Sequence, residues 1–262
     1  MSNTKNNLHL VLNAKGGIGK STCSITLQTF LQDKLGSENV LGIDTDPNNN
    51  TLSSTTLNTI FLNIMPDGDK VDLKKFDDLT MFLYNNPKTQ GKDIVLDCGS
   101  STFQHLFNYL QENETIEMIL NQKYNVYIHI PVTLDSPMEE QTLNGMTQII
   151  EAFKYSSSQF IIWSNHFFAS SNNADIEKSP QYIEYKEKIF AVILMKKRDE
   201  LFLADYSHMA KKSQTFLDID NDPSYDITSK IRLSKMQKEF WDVLSIVIPI
   251  NTKAETKKES KR

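Results

Sequence analysis

The sequence predicts an α/β fold, a mostly parallel sheet flanked by helices on both faces. Three observations carry the prediction. Short, continuously apolar runs recur along the chain. Stretches of helical length and spacing lie between them. The first run passes into the first helical stretch through a glycine-rich segment, NAKGGIGKST, at 13–22. Unbroken Val, Ile and Leu runs are what strands need when both faces of a parallel sheet are covered. The helices between them supply the cover.

The runs are LHLVLN (8–13), VLGID (40–44), DIVLD (93–97), VYIHIPV (126–132), FIIWSN (160–165) and FAVILM (190–195). The helical stretches follow a period near 3.6. Residues 20–34 place Ile25, Leu27, Phe30 and Leu31 on one side. Residues 138–154 align Met138, Leu143, Met146, Ile149, Ile150 and Phe153, and residues 228–247 align Ile231, Leu233, Met236, Phe240, Leu244 and Val247. A polar segment, SSNNADIEKSP (170–180), reads as a loop. There is no internal repeat. The expected organisation is one domain over 1–250 and a charged, disordered tail, NTKAETKKESKR, over 251–262.

Composition narrows the function classes. The chain has 262 residues, 39% of them hydrophobic, and a formal net charge of -5. A field of that sign does not favour nucleic acid or an anionic membrane, so a DNA contact would need a local basic patch. The polar start has no apolar run of signal-peptide length, and nowhere do 18 apolar residues stand together. Two cysteines make no disulfide framework. The cytoplasm is the expected location.

The glycine-rich segment has the setting of a phosphate-binding loop, after a strand and opening a helix. Glycines allow positive φ, so that the N–H groups of Gly16, Gly17, Ile18 and Gly19 can turn toward one anion. The helix N-terminus adds its dipole. Lys20 brings a charge for β- and γ-phosphates, Ser21 a hydroxyl for Mg²⁺, and Thr22 reach toward an α-phosphate. The plainer alternative is a glycine-rich turn that only packs closely.

Within that loop, KGGIGKS resembles the deviant Walker A box of the ParA/MinD superfamily, with a P-loop NTPase-like fold. Ala14 stands where the general pattern has its first glycine, and Lys15 is extra. The resemblance implies ATP and Mg²⁺ as cofactors and a nucleotide-dependent homodimer. In it Lys15 reaches the partner's nucleotide and neutralises transition-state charge as an arginine finger does.

Acidic residues at strand ends suit such a site, because ligands in open α/β sheets lie beyond the carboxyl ends of the strands. GIDTDPNNN resembles the family's D-x-D-P box, which implies that Asp46 positions the attacking water and Asp44 supports the magnesium site. DIVLDCGSS resembles the Walker B strand, which makes Asp97 a Mg²⁺ holder. A lone strand-end Asp also serves as a turn residue or helix cap. Asn165 offers a donor and an acceptor matched to adenine N6 and N7. ParA/MinD relatives keep an adenine-contacting Asn at such a strand end; a turn Asn is the alternative. HFF (166–168) would pack near the base or in local core. Gly99, Ser100 and Ser101 form a polar switch segment or, alternatively, a helix N-cap by Ser100 or Ser101.

Cys23 reads as a small buried residue, and with no C-x-x-C neither an iron–sulfur cluster nor a structural zinc is expected. The five histidines lack metal-ligand spacing. Two further stretches, LNIMPDGDKVDLKKFDDL (62–79) and DCGSSTFQHLFNYL (97–110), together with FIIWSNHFF, resemble the TraL-type conjugal-transfer proteins of plasmids. The likeness runs over most of 8–170. Cys98 and the pair His166–Phe167 depart from it. The last helix runs into SIVIPI and a basic tail. Core packing explains it better than a membrane anchor. The tail or MKKR (195–198) could touch DNA phosphates, though so small a cluster reads first as a solvated face.

The expected function is a Mg²⁺-dependent ATPase, slow without a partner, acting as a dimeric switch in conjugal transfer with conjugation or plasmid-maintenance proteins. A plasmid partition or stability ATPase, a non-hydrolysing nucleotide-binding module and a carboxylate-activating enzyme are the alternatives.

Overall fold

The computed structural model describes residues 5–64, 72–167, 169 and 175–250. The tail at 251–262, residues 170–174 of the polar loop, Phe168 of the HFF stretch and residues 65–71 of the LNIM stretch lie outside the described residues.

Among the described residues, seven strands form one parallel sheet. They are β1 (Asn6–Val11), β2 (Val40–Asp44), β3 (Thr59–Phe61), β4 (Asp93–Asp97), β5 (Tyr124–Thr133), β6 (Gln159–Asn165) and β7 (Ile189–Met195). The order is β3-β2-β4-β1-β5-β6-β7, and every pairing is parallel. Six of the seven coincide with the apolar runs. The additional one, β3, is three residues long and not fully buried.

The helices are α1 (Lys20–Leu35), α2 (Lys74–Asn85), α3 (Ser100–Glu112), α4 (Asn121–Lys123), α5 (Glu139–Phe153), α6 (Pro180–Tyr185), α7 (Glu200–Lys211) and α8 (Ile227–Val247). They cover both faces and make two cores. On one face α2, α3 and α5 pack Phe76, Phe103, Leu106, Met146 and Phe153 against Leu8, Leu10, Ile94 and Ile130. On the other α1 and α8 pack Leu27, Phe30, Phe240 and Leu244 against Val11, Val95, Ile161 and Trp163. Neighbouring residues of one strand thus enter opposite cores, the physical reason that β1 and β4 read as unbroken apolar runs. The Trp241 indole donates to Asp33 at 2.8 Å and ties α8 to α1.

Two periodicity readings need correction. Ile231 is 61% exposed rather than in the core, while Trp241 takes a buried place on α8. α1 is not amphipathic: its buried residues include Ser24, Thr26, Gln28 and Thr29 as well as Leu27 and Phe30. It is enclosed by sheet and helices, and its polar groups find internal partners. Gln28 donates to Asn58 O at 2.9 Å. It fits only because Gly42 lacks a side chain, since a Cβ there would come 2.2 Å from Gln28 Oε1. The helix α3 is capped by Gly99, not by Ser100 or Ser101, and no side chain bonds at that cap.

Candidate functional site: the cleft at the carboxyl ends of the central strands

β1 sits between β4 and β5, and the glycine-rich loop leaves its carboxyl end to open α1. Gly17 and Gly19 hold φ of 75° and 96°, the left-handed region open to glycine at little cost. Gly19 is the N-cap of α1. The Lys20 side chain is nearly buried and donates to the Lys15 carbonyl at 2.7 Å, so it lies back along the loop. Burial holds its ammonium below the ordinary lysine range, against the pull of Cys98, Asp97 and Asp46 nearby.

Asp97 closes β4 beneath the loop. Its Oδ1 accepts from Ser24 Oγ at 2.9 Å, while Oδ2 is buried without a hydrogen-bond partner. Burial raises its pKa to about 6, with the Ser21 and Ser24 hydroxyls pulling the other way. A buried carboxylate oxygen with no donor, beside a serine hydroxyl, is a hard-oxygen set of the kind Mg²⁺ takes. The residues present therefore fit the ion.

Asp44 and Asp46 do different work from one another. The Asp44 carboxylate is fully buried and turns to its own loop. Its Oδ1 accepts from Asp46 N–H at 3.0 Å and its Oδ2 from Ser53 N–H at 2.9 Å. Desolvation raises its pKa and those two bonds lower it. In this structure the Asp44 carboxylate holds residues 45–53 in place, and, like Asp97, it lies beneath the cleft rather than among its lining residues. Asp46 does line it. Its Oδ1 accepts from the N–H groups of Asn48 and Asn49. Gly99 makes room for it, since a Cβ there would lie 2.5 Å from Asp46 Cγ.

Asn165 lines the cleft and braces the loop that opens it. Its Nδ2 donates to Ile18 O at 2.9 Å and its Oδ1 accepts from Phe167 N–H at 2.9 Å. One of the two Nδ2 donors thus braces the glycine-rich loop, and Oδ1 holds the Phe167 backbone. Gly19 packs against this brace, with a virtual Cβ 2.9 Å from Asn165 Nδ2.

Together these elements wall a cleft of about 520 Å³, a size suited to a small-molecule ligand. Gly17, Gly19, Lys20, Ser21, Thr22, Asp46, Ser100, Ser101 and Asn165 line it. Gly16 stands at its rim against Ser100, whose Oγ would be 3.2 Å from a Cβ at that position. The Lys15 side chain is not among the walls. The far wall, which the sequence reading missed, is α7: Tyr206, Ser207 and Ala210, with Phe167 6.3 Å from the Tyr206 ring. The Tyr206 hydroxyl is pushed up to about 12 by burial. A signal for α7 was present in Asp199, whose side chain caps the helix by accepting from Phe202 N–H. Both cysteines are buried thiols; Cys98 lines the cleft, and desolvation pushes it up to about 12. The MKKR cluster is partly neutralised, because Lys196 and Arg198 both pair with Glu239 of α8.

A strand, a positive-φ glycine loop, a helix and an acidic neighbouring strand end define the site, and a family comparison agrees. The profile described as the CobQ/CobB/MinD/ParA nucleotide binding domain matches residues 9–240. The chain belongs to that family. Among curated relatives it is 28% identical over 241 residues to Protein TraL of Escherichia coli, covering 90% of this chain and 96% of that one. A second Protein TraL from the same organism is 27% identical over 238 residues, 89% and 95% of the two chains. Among solved structures, a ParA family ATPase from Chlorobium tepidum TLS superposes with a TM-score of 0.52 at 14% identity, covering 88% of this chain and 98% of that one. The septum site-determining protein MinD from Pyrococcus horikoshii OT3, complexed with Mg-ADP, gives 0.50 at 13%, with 94% and 100% covered. At such identities these structures speak for the fold.

Proposed function

We propose that this protein binds ATP with Mg²⁺ and hydrolyses it slowly, as a cytoplasmic dimeric switch serving plasmid conjugal transfer, with residues 1–250 acting as one nucleotide-binding unit. The observation that carries the reading is the meeting, in and beneath one cleft, of the loop lysine Lys20, the unpartnered Asp97 Oδ2 and Asp46. The N–H groups of Gly16 to Ser21 and the Lys20 ammonium take the phosphates, and Thr22 meets the α-phosphate. Ser21 and Asp97 hold Mg²⁺, which neutralises phosphate charge when bound. Asp46 orients the water for attack on the γ-phosphoryl group, with its carboxylate fixed by the Asn48 and Asn49 N–H groups and its loop folded by Asp44. Asn165 keeps the loop in shape. The base lies toward Phe167 and Tyr206. Lys15, outside the cleft walls, serves the nucleotide of a second copy.

The conjugal-transfer setting is supported by the TraL relatives, which match nearly end to end. Partners are then a second copy and components of the transfer machinery. The deciding test is Mg²⁺-dependent phosphate release from ATP by the wild type and by Asp46→Ala. Turnover should fall by about a hundred-fold or more in the variant, with ATP still bound. Bound ATP with no release from the wild type would replace the switch by a non-hydrolysing module.

A further inference from the structure

Asn13, the residue that opens the glycine-rich loop, is fully buried and makes three hydrogen bonds. Its Nδ2 donates to Pro131 O at 2.8 Å and to Thr142 O at 3.3 Å. Its Oδ1 accepts from the Lys15 N–H at 3.2 Å. The cause lies in the end of the β1–β5 ladder. The last regular bond runs from Leu12 N–H to His129 O at 2.9 Å. In a parallel ladder the next would run from the N–H of residue 131 to Leu12 O, and Pro131 has none. The chain peels away there, and the Asn13 side chain takes the Pro131 carbonyl that a continuing strand would have used. Gly145 on α5 completes the seat: a Cβ there would lie 2.6 Å from Asn13 Oδ1.

We infer that Asn13 is a positioning residue for Lys15, anchoring its backbone to β5 and α5. This rests on the reading above that Lys15 serves a second copy's nucleotide. The Lys15 peptide is held at both ends, its N–H by Asn13 and its carbonyl by Lys20 Nζ. When the Lys20 ammonium turns to a phosphate, its hold on the carbonyl is lost and Asn13 remains. Only an amide side chain supplies two donors and an acceptor at that point. The direction in which Lys15 leaves the loop is therefore set by β5 and α5. Thr142 extends the anchorage, because its hydroxyl accepts from Thr133 N–H at 3.1 Å.

The test uses Asn13→Ala, Gly145→Ala and the double variant in the full chain, with Lys15→Ala alongside. Gly145→Ala changes no residue of the loop but pushes on Asn13 Oδ1 from α5, and alanine favours the helix it joins. Each single variant should speed hydrogen exchange of the Lys15 amide at least about ten-fold, as a lost hydrogen bond allows. Each should also lower ATP turnover by roughly ten- to a hundred-fold, with ATP Kd within about three-fold. In the double variant the added methyl enters space that Asn13 has vacated. It should match Asn13→Ala rather than multiply the two losses. Unchanged Lys15 exchange in both singles, or multiplicative losses, would overturn the inference. Wild-type turnover in Lys15→Ala would instead remove the role of Lys15. The exchange result would still decide whether Asn13 holds it.

Discussion

Two buried polar clusters share the central strands and meet burial in opposite ways. Beneath the cleft, Asp97 keeps one carboxylate oxygen without a donor, and desolvation raises its pKa to about 6. Within the sheet, beneath α1, the Trp163 indole on β6 donates to His129 Nδ1 on β5 at 2.9 Å. His129 Nε2 lies 2.9 Å from His9 Nδ1 on β1. An indole only donates, so His129 must carry its proton on Nε2 and donate to His9. Both imidazoles are neutral: burial lowers His9 to about 3 and His129 well below its ordinary value. Low dielectric pushes every group toward neutrality, an acid upward and a base downward. What differs is what can relieve it. A cation can restore charge to Asp97, whereas the histidines satisfy one another and leave only His9 Nε2 without a partner. The cleft is organised for a ligand and the relay for the fold.

The sharpest way to break this contrast is His129→Phe. The ring fills a similar space, but the Trp163 N–H and His9 Nδ1 both lose their partner in a fully buried position. Each orphaned group costs about 1–3 kcal/mol, so unfolding free energy should fall by roughly 2–6 kcal/mol in a denaturant titration. ATP Kd of the folded fraction should stay within about three-fold. A ten-fold weaker ATP affinity would show that the relay belongs to the site.

The two clusters also carry opposite pH dependences. A neutral buried histidine stabilises the fold above its unfolded pKa near 6.5, and that stability is lost as pH falls below it. The carboxyl of Asp97, raised from 3.8 to about 6, works the other way: stability grows as pH falls from 6 toward 3.8. Each proton is worth about 1.4 kcal/mol per pH unit. Two histidines outweigh one aspartate, leaving a net loss of about 1–2 kcal/mol per unit between pH 6 and 4. In His9→Phe that slope should shrink toward zero. Mg²⁺-nucleotide affinity should rise with pH through 6, as Asp97 ionises. An unchanged slope in the His9 variant would mean that other groups drive the acid response.

The cleft was far more legible in the sequence than the relay. NAKGGIGKST declares itself because anion binding needs glycines, a lysine and a hydroxyl at fixed spacing, and the strand-end aspartates follow from the sheet. Tertiary neighbours decided the rest. His9 and His129 stand 120 positions apart and become partners only when β1 pairs with β5. Gly145 carries no motif, and the motif around Gly99 does not say which neighbour it admits; each matters through one side chain it lets approach. Type and position mark Asp44 as an acidic strand end, while its bond from Ser53 N–H is a property of the folded loop that the sequence does not show. The start of α3 was offered only as an alternative, α2 and α7 were missed as elements, and with α7 went one wall of the cleft.

Asn165 is where the two regions touch, two residues beyond Trp163 on β6 and bonded to Ile18 of the loop. Its removal should have the smallest effect of these changes. Asn165→Ala forfeits bonds to Ile18 O and Phe167 N–H, of which each is worth about 1 kcal/mol net. ATP affinity should fall a few-fold. As a brace, Asn165 loosens the loop for any triphosphate, so ATP and GTP should weaken by the same factor in a calorimetric titration. If it instead gives up its brace and reads the adenine edge, ATP should weaken while GTP does not, and the preference between the two nucleotides should collapse.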